Sequence, residues 1–357
     1  MSGNPENKGG AKNRTAFYDN LKFVLITLVL VGHFVGPLND NCFETKVLWR
    51  TIYMFHMPAF LFVGGMFAKK LYTRENGLRI NVLAFYIVMF LLLYTGLWAE
   101  RHLWEPHPAY NLFVINSIPW YFVTMAALGA TTPIIAKVRG GAQTVLPISI
   151  ALAVVVPFND NFDDFLVLGR TFAYAPFYYA GYFLSIKGYD EWITRQRAKK
   201  WPIVCAILCF LAMYAAFYLL PKPIAGTMSG LATGHNTYDD MKEFPSYIDA
   251  LIRFADIGIA GILIVALSIL TPSKRSFITD LGGRTLQVYF FHPFLYYLPS
   301  YLGWYDYLVP YVPISAWAMV AVGILLSIIL AWPKWPARMF GVIRSHINID
   351  SDEHTRV

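Results

Sequence analysis

Lys22 and His33 stand eleven residues apart in an apolar run that opens with Tyr18-Asp19-Asn20-Leu21-Lys22 and reaches Gly32-His33. Eleven α-helical steps of about 100° return to within about 20° of the starting direction and rise about 16 Å. A helix over this run carries a cation near one membrane surface and an imidazole deep in the apolar slab, on one face. Ionisable groups are costly in hydrocarbon, so this placement points to function. Two more histidines are expected at a similar depth: His56 in the second apolar run, about 13 Å below its outer end, and His292 in the ninth. A neutral imidazole takes a proton from a hydroxyl and returns it to a leaving group. A metal centre has less support, because no HExxH or CxxC spacing occurs and Asp256 is the only acid well inside an apolar run.

Cations frame this band on both sides. Asp19 precedes Lys22 by three residues and shares its helix face. Lys69, Lys70, Arg74 and Arg79 follow the second run. Basic groups gathered at one mouth suit a phosphate-bearing ligand, although inner loops of membrane proteins are basic as a rule. At the opposite ends, Arg50, Arg170 and Arg253 suit an anionic or hydroxyl-rich substrate; read singly, each is a snorkelling side chain. Arg253 and Asp256 are expected to pair. Trp120, in Pro119-Trp120-Tyr121-Phe122, belongs with the interface and packing aromatics, some of which stack on sugar rings.

The elements that must position these groups follow from composition. Of 357 residues, 57% are hydrophobic and 14% charged, well below the charge of a soluble domain, so the chain is an integral membrane protein. Runs long enough to span fall near 20–38, 47–68, 80–99, 111–136, 143–157, 171–187, 202–220, 249–271, 280–300 and 312–333. With the N-terminus inside, the inner segments hold twenty Lys and Arg and the outer ones six. That asymmetry sets the orientation and also accounts for the net charge of +7, which would otherwise suggest nucleic acid. The expected fold class is all-α: a polytopic membrane protein of about ten transmembrane helices, both termini cytoplasmic. It divides into a tail at 1–18, a membrane domain at 19–333 and a tail at 334–357.

Residues 1–14 are polar and the run after them lacks a cleavage site, so no cleavable signal peptide is expected. Cys205 and Cys209, one turn apart, read as small hydrophobes facing lipid or core. The outer segment 221–248, with Gly226, Gly230 and Gly234, reads as a lid or mouth, or as a solvated connector. The acidic outer loop at 159–164 reads as solvated.

These residues resemble the acyltransferase 3 family of integral membrane acyltransferases. Tyr18-Asp19-Asn20-Leu21-Lys22 followed by His33 resembles the first-helix signature of a basic residue, ten residues and histidine. Phe55-His56-Met57-Pro58-Ala59-Phe60 is similar to the second-helix segment, especially of the O-acetyltransferase branch, and Pro119-Trp120-Tyr121-Phe122 to the fourth. Arg170 with Pro176-Phe177-Tyr178-Tyr179 resembles the sixth, and Leu281-Gly282-Gly283-Arg284 through His292-Pro293 the late glycine to histidine–proline segment. Two departures bear on the donor side. The family's first-helix arginine is Lys22 here, which keeps the charge but loses the bidentate fork for phosphate. Arg74 and Arg79 stand without the family's common proline.

The resemblance implies transfer of an acyl group, most often acetyl, from cytoplasmic acyl-CoA to a hydroxyl on an outward-facing glycan or related acceptor. The bilayer is that of a bacterial inner (plasma) membrane. Asp19, Lys22, Arg74 and Arg79 are then expected at the nucleotide phosphates of the donor, and Arg170, Arg253 and Trp120 at the acceptor. His33 acts as general base or carries the acyl group, with His56 and His292 orienting it or donating to the oxyanion. Acyl-CoA is a substrate here and no tightly bound cofactor or metal is expected. The rivals are a polytopic transporter or proton-coupled flippase using the buried histidines, and a non-catalytic membrane sensor.

Overall fold

A computed structural model describes residues 7–74, 77–162, 164–184 and 186–347, the side chains of 7–15, 70–74 and 187 excepted. The regular elements of the described chain are helices, apart from one hairpin of two two-residue strands. It opens with α1 (Asn7–Val35), α2 (Phe43–Tyr53) and α3 (His56–Tyr72), then β1 (Thr73–Arg74) and β2 (Gly77–Leu78). α4 (Ile80–His102), α5 (Trp120–Ile135), α6 (Ala142–Val155), α7 (Leu168–Phe183) and α8 (Ile186–Arg197) follow. Next come α9 (Lys200–Leu219), α10 (Lys222–Ala232), α11 (Tyr238–Met241), α12 (Ser246–Leu270) and α13 (Phe277–Gly282). The last are α14 (Thr285–Tyr301), α15 (Trp304–Leu308), α16 (Ile314–Ala331) and α17 (Trp335–His346).

Among the described residues, six helices are long and apolar enough to cross a membrane: Ala16–Leu38, Phe43–Lys69, Ile80–His102, Lys200–Leu219, Ser246–Leu270 and Ile314–Ala331. The second joins α2 and α3 across a break at Met54 and Phe55. The other four expected spans are occupied by the shorter helices α5, α6, α7 and α14, each with proline inside: Pro133, Pro147, Pro176, and Pro293 with Pro299. Proline removes a ladder hydrogen bond and crowds the preceding turn. α5 begins at Trp120 and not near 111, because the stretch before it is held extended. There Val114 pairs with Phe165, the Ile115 amide donates to the Asp164 carbonyl (2.9 Å), and Asn111 caps the turn by accepting from the Phe113 amide.

Segment 221–248 is not a solvated connector. It folds into α10 and α11 and buries Ala225, Met228, Leu231, Ala232 and Tyr238. The glycines that lower its helix propensity are outweighed by this apolar packing.

The fold divides into two compact units. The first comprises Met1–Val63, Leu184–Ala225 and Gly258–Pro333. Within it α1 packs along α16, where Gly323 meets the Val31 backbone and Thr27 shares a 2.9 Å hydrogen bond with Ser327. The fully buried Asn20 donates to the carbonyls of Pro272 (2.8 Å) and Lys274 (3.0 Å) and accepts from Thr279 (2.6 Å). One amide thus anchors the segment leading into α13 against α1 at Asn20. Small residues and interhelical hydrogen bonds of this kind hold helices together where lipid removes most of the hydrophobic drive, at about 0.6 kcal/mol per bond. The second unit comprises Gly64–Phe183, Gly226–Ile257 and Lys334–Val357. In it α7 packs along α6 and is bonded to α5 through Thr124–Thr171 (3.2 Å), Thr132–Tyr178 (3.1 Å) and Thr131–Tyr179 (2.9 Å), and Gly65 lies against the Tyr178 carbonyl.

Gly282 admits no side chain, since a Cβ there would overlap the Asp19 carbonyl, whereas at Gly283 the nearest such atom is 3.9 Å away. Gly282→Ala should therefore cost about 1–3 kcal/mol through forced displacement of α13 from α1. Gly283→Ala should be near neutral. Thermal unfolding of the two purified variants in detergent checks the difference.

Candidate active site

The histidines at the heart of the site lie in the first unit. His33 on α1 and His292 on α14 have ring centroids 5.4 Å apart, and Tyr296, one turn beyond His292, places its ring 5.1 Å from His33. His56 opens α3 and packs on Tyr53 at 4.7 Å. Tyr53 in turn covers Gly32, the neighbour of His33, and stacks on Trp49 at 4.0 Å. α1, α2, α3 and α14 thus bring the three expected histidines into one aromatic-lined region. Tyr296 was not expected, although its spacing of four from His292 puts both on one helix face.

The hydrogen bonds of the three rings differ. Nδ1 of His56 lies 2.8 Å from the Ile52 carbonyl, and Nδ1 of His292 lies 3.0 Å from the Val288 carbonyl. A carbonyl only accepts, so each Nδ1 carries the proton and each Nε2 presents a lone pair in the neutral ring. The Nε2 of His292 is buried without a hydrogen-bond partner. His33 is only half-buried, and among the described residues neither of its ring nitrogens makes a hydrogen bond. It is the imidazole left free to meet a ligand.

At the start of the apolar run of α1, Lys22 and Asp19 form the expected pair, Nζ to Oδ1 at 2.7 Å, with both side chains partly exposed. Ile26 and Val29 lie between Lys22 and His33 on the same face of α1 and are buried. Arg79 caps the start of α4 in the second unit, its Nε buried without a hydrogen-bond partner. The Arg74 side chain lies outside the described residues.

The expected acceptor residues gather in the second unit. Arg170 is 6% exposed and does not snorkel. Its Nη1 donates to Asp164 Oδ1 (2.9 Å) and to the Ile115 carbonyl (3.1 Å), and its guanidinium stands 5.3 Å over the Trp120 ring. The loop at 159–164 is therefore not merely solvated, because Asp164 is the counter-ion of a buried arginine. Trp120 stacks on Tyr174 at 5.6 Å, and the Tyr174 hydroxyl reaches the carbonyls of Ala232 (2.9 Å) and Thr233 (2.7 Å). Arg253, 4% exposed, donates from Nη1 to the Leu231 carbonyl at 2.6 Å. The expected Arg253–Asp256 pair does not form; both Asp256 oxygens lack a hydrogen-bond partner. The last carbonyls of α10 have no intrahelical donors and sit at the negative end of its dipole, so they draw in the guanidinium and the phenol. Arg50 in the first unit is likewise buried, with its Nε unpartnered, and is not a snorkelling residue. Among the described residues no group of three His, Cys, Asp or Glu side chains is arranged to hold a metal ion.

A sequence profile described as an acyltransferase domain matches residues 15–335. Two relatives named nodulation protein NolL are similar over 70 residues: that of Mesorhizobium japonicum at 34% identity and that of Sinorhizobium fredii at 36%. The matched part is 19% of this chain and 19% of each relative, so the chain spans about a fifth of the length of these curated relatives. No solved structure matches the chain.

Removing Asp164 leaves the Arg170 charge buried without its carboxylate, which costs about 3 kcal/mol. Asp164→Ala should lower the unfolding midpoint of the purified protein markedly, and Asp160→Ala, at an exposed position of the same loop, should not.

Proposed function

The chain belongs to the acyltransferase 3 family and is a membrane O-acyltransferase; on that premise we propose that it moves an acetyl group from cytoplasmic acetyl-CoA to a hydroxyl of an outward-facing glycan or related acceptor. The reading sets the protein in the bacterial cytoplasmic membrane, with ten spans and both termini inside, the four short helices crossing alongside the six long ones.

The observation that carries it is the state of His33. It sits deep in the first span, beside His292 and Tyr296, half-buried and, among the described residues, with no hydrogen bond to protein. As general base it takes the proton of the acceptor hydroxyl while that oxygen attacks the thioester carbonyl. The C–O bond forms, the C–S bond breaks, and the proton passes from His33 to the departing CoA sulfur. No charge then needs to leave the site with either product. His292 and His56, each with Nδ1 committed to a backbone carbonyl, offer lone pairs and not N–H groups. That suits them to orienting His33 rather than to donating to an oxyanion. The phenol of Tyr296 is the nearby group able to donate there.

Lys22, held in place by Asp19, is the residue of the first unit assigned to the nucleotide phosphates of the donor; Arg74 and Arg79, on the segment following α3 in the second unit, are assigned to the donor from the sequence alone. A lysine supplies a point charge in place of the guanidinium fork, which weakens directionality more than attraction. The acceptor belongs with Arg170, Trp120 and Arg253.

His33→Ala should reduce CoA release coupled to acceptor acylation by about 100-fold or more, the range for loss of a general base. The variant should elute as a folded protein and still bind acyl-CoA. Transfer within a few-fold of the unaltered protein would defeat the assignment. Mass spectrometry of surface glycans with and without the gene identifies the acylated product.

A further inference from the structure

The segment after residue 333, read from the sequence as a tail, opens with an ordered helix whose surface the acyl-transfer chemistry does not use. α16 ends at Ala331 and α17 begins at Trp335, so at most about 14 Å of chain separates the two. α16 is long and apolar enough to cross a membrane, which puts the start of α17 close to a membrane surface. Trp332, between them, is 65% exposed, and tryptophan is enriched at that level of a bilayer. With 12 residues, about 18 Å in length, α17 is too short to cross. It either lies along the surface or leaves it for water.

The faces of α17 decide between these. It packs on α4 within the second unit, with Pro336 and Phe340 buried and Met339 and Ile343 half-buried, at the spacings of one helix stripe. Beside that stripe Trp335 and Val342 are 61% and 56% exposed. They stand seven residues apart, which returns to within about 20° of one direction and makes a single apolar edge. Farther round the same side come Arg338 and Lys334, about 60° and 100° from Trp335, while Arg344 lies on the opposite flank. All three cations are exposed, and among the described residues their side chains make no hydrogen bond or ion pair. The sequence holds no Asp or Glu between Asp306 and Asp350, so no acid of α17 balances them. Water would solvate the cations but leave the Trp335–Val342 edge bare. A bilayer interface accommodates both, the apolar edge entering the acyl boundary while the cations reach the headgroups. An anionic leaflet also neutralises the three like charges, which an uncharged one does not.

We propose that α17 lies in the membrane–water interface at the surface where α16 ends, with Trp335 and Val342 among the first acyl carbons and Lys334, Arg338 and Arg344 on the phosphates of anionic phospholipid. The partner of this surface is the lipid leaflet, and its selectivity is for negative headgroups.

Nitroxide labels on single cysteines of the full chain test this, in a background carrying Cys42→Ser, Cys205→Ser and Cys209→Ser and in vesicles with or without phosphatidylglycerol. Val342→Cys reports the apolar edge. Gly341→Cys reports the polar side, at an exposed position where a Cβ meets no atom within 4 Å. Oxygen, which concentrates among acyl chains, and a neutral nickel chelate, which stays in water, relax the label wherever they reach it. In phosphatidylglycerol vesicles the ratio of oxygen to nickel accessibility should be about threefold or more higher at 342 than at 341, as for a helix edge sunk below the headgroups. Most of that difference should be lost in phosphatidylcholine vesicles, and also in phosphatidylglycerol vesicles for the triple variant Lys334→Gln, Arg338→Gln, Arg344→Gln. Equal ratios at 341 and 342 with phosphatidylglycerol present would overturn the interfacial placement. Low accessibility of 342 to both reagents would overturn it in favour of a protein partner. A difference unchanged in phosphatidylcholine or in the triple variant would overturn the selectivity for anionic lipid.

Discussion

Backbone carbonyls one helical turn earlier claim Nδ1 of both His56 and His292, and nothing among the described residues claims the nitrogens of His33. In a water-poor helix bundle a polar side chain either finds a partner or costs several kcal/mol, so how each ring is satisfied decides what it can do. Two rings are locked into one tautomer and oriented. The third sits 5.4 Å from one of them, with a phenol at 5.1 Å, and keeps its proton chemistry available. The rest of the first unit serves this arrangement. Gly32 lets Tyr53 close over α1, Gly323 lets α16 approach the Val31 backbone, and Asn20 anchors the segment leading into α13.

The second unit solves a different problem, that of keeping arginines inside a membrane protein. Arg170 has Asp164, the Ile115 carbonyl and the Trp120 face. Arg253 has the end of α10, a helix terminus that needs donors in any case. Satisfying Arg253 in this way leaves Asp256 without its expected partner.

Much of this was legible in the sequence, and the failures have identifiable causes. The Lys22–His33 face, the shared depth of His56 and His292, and the Asp19–Lys22 pair follow from helical geometry and hydropathy alone, because a membrane slab turns residue number into depth. Tyr296 was within reach of the same arithmetic. The start of α5 was not: residues 111–119 are apolar enough to resemble a span, but Pro119 and the pairing of Val114 with Phe165 hold them extended. That pairing joins segments about fifty residues apart, which periodicity does not report. α10 was hidden by Gly226 and Gly230, whose propensity argues against helix while burial of Ala225, Met228 and Leu231 argues for it. The Arg253–Asp256 expectation failed because spacing shows which charges share a face and not which carbonyls compete for them.

The central claim is that acyl-CoA reaches the imidazole of the first span. Cysteine accessibility measures this directly: His33→Cys, placed in a background carrying Cys42→Ser, Cys205→Ser and Cys209→Ser, is labelled with a small thiol reagent in membranes. Saturating acetyl-CoA should slow labelling at position 33 by about tenfold, as the donor arm fills the space before it. Labelling at the same rate with and without acetyl-CoA would contradict the account.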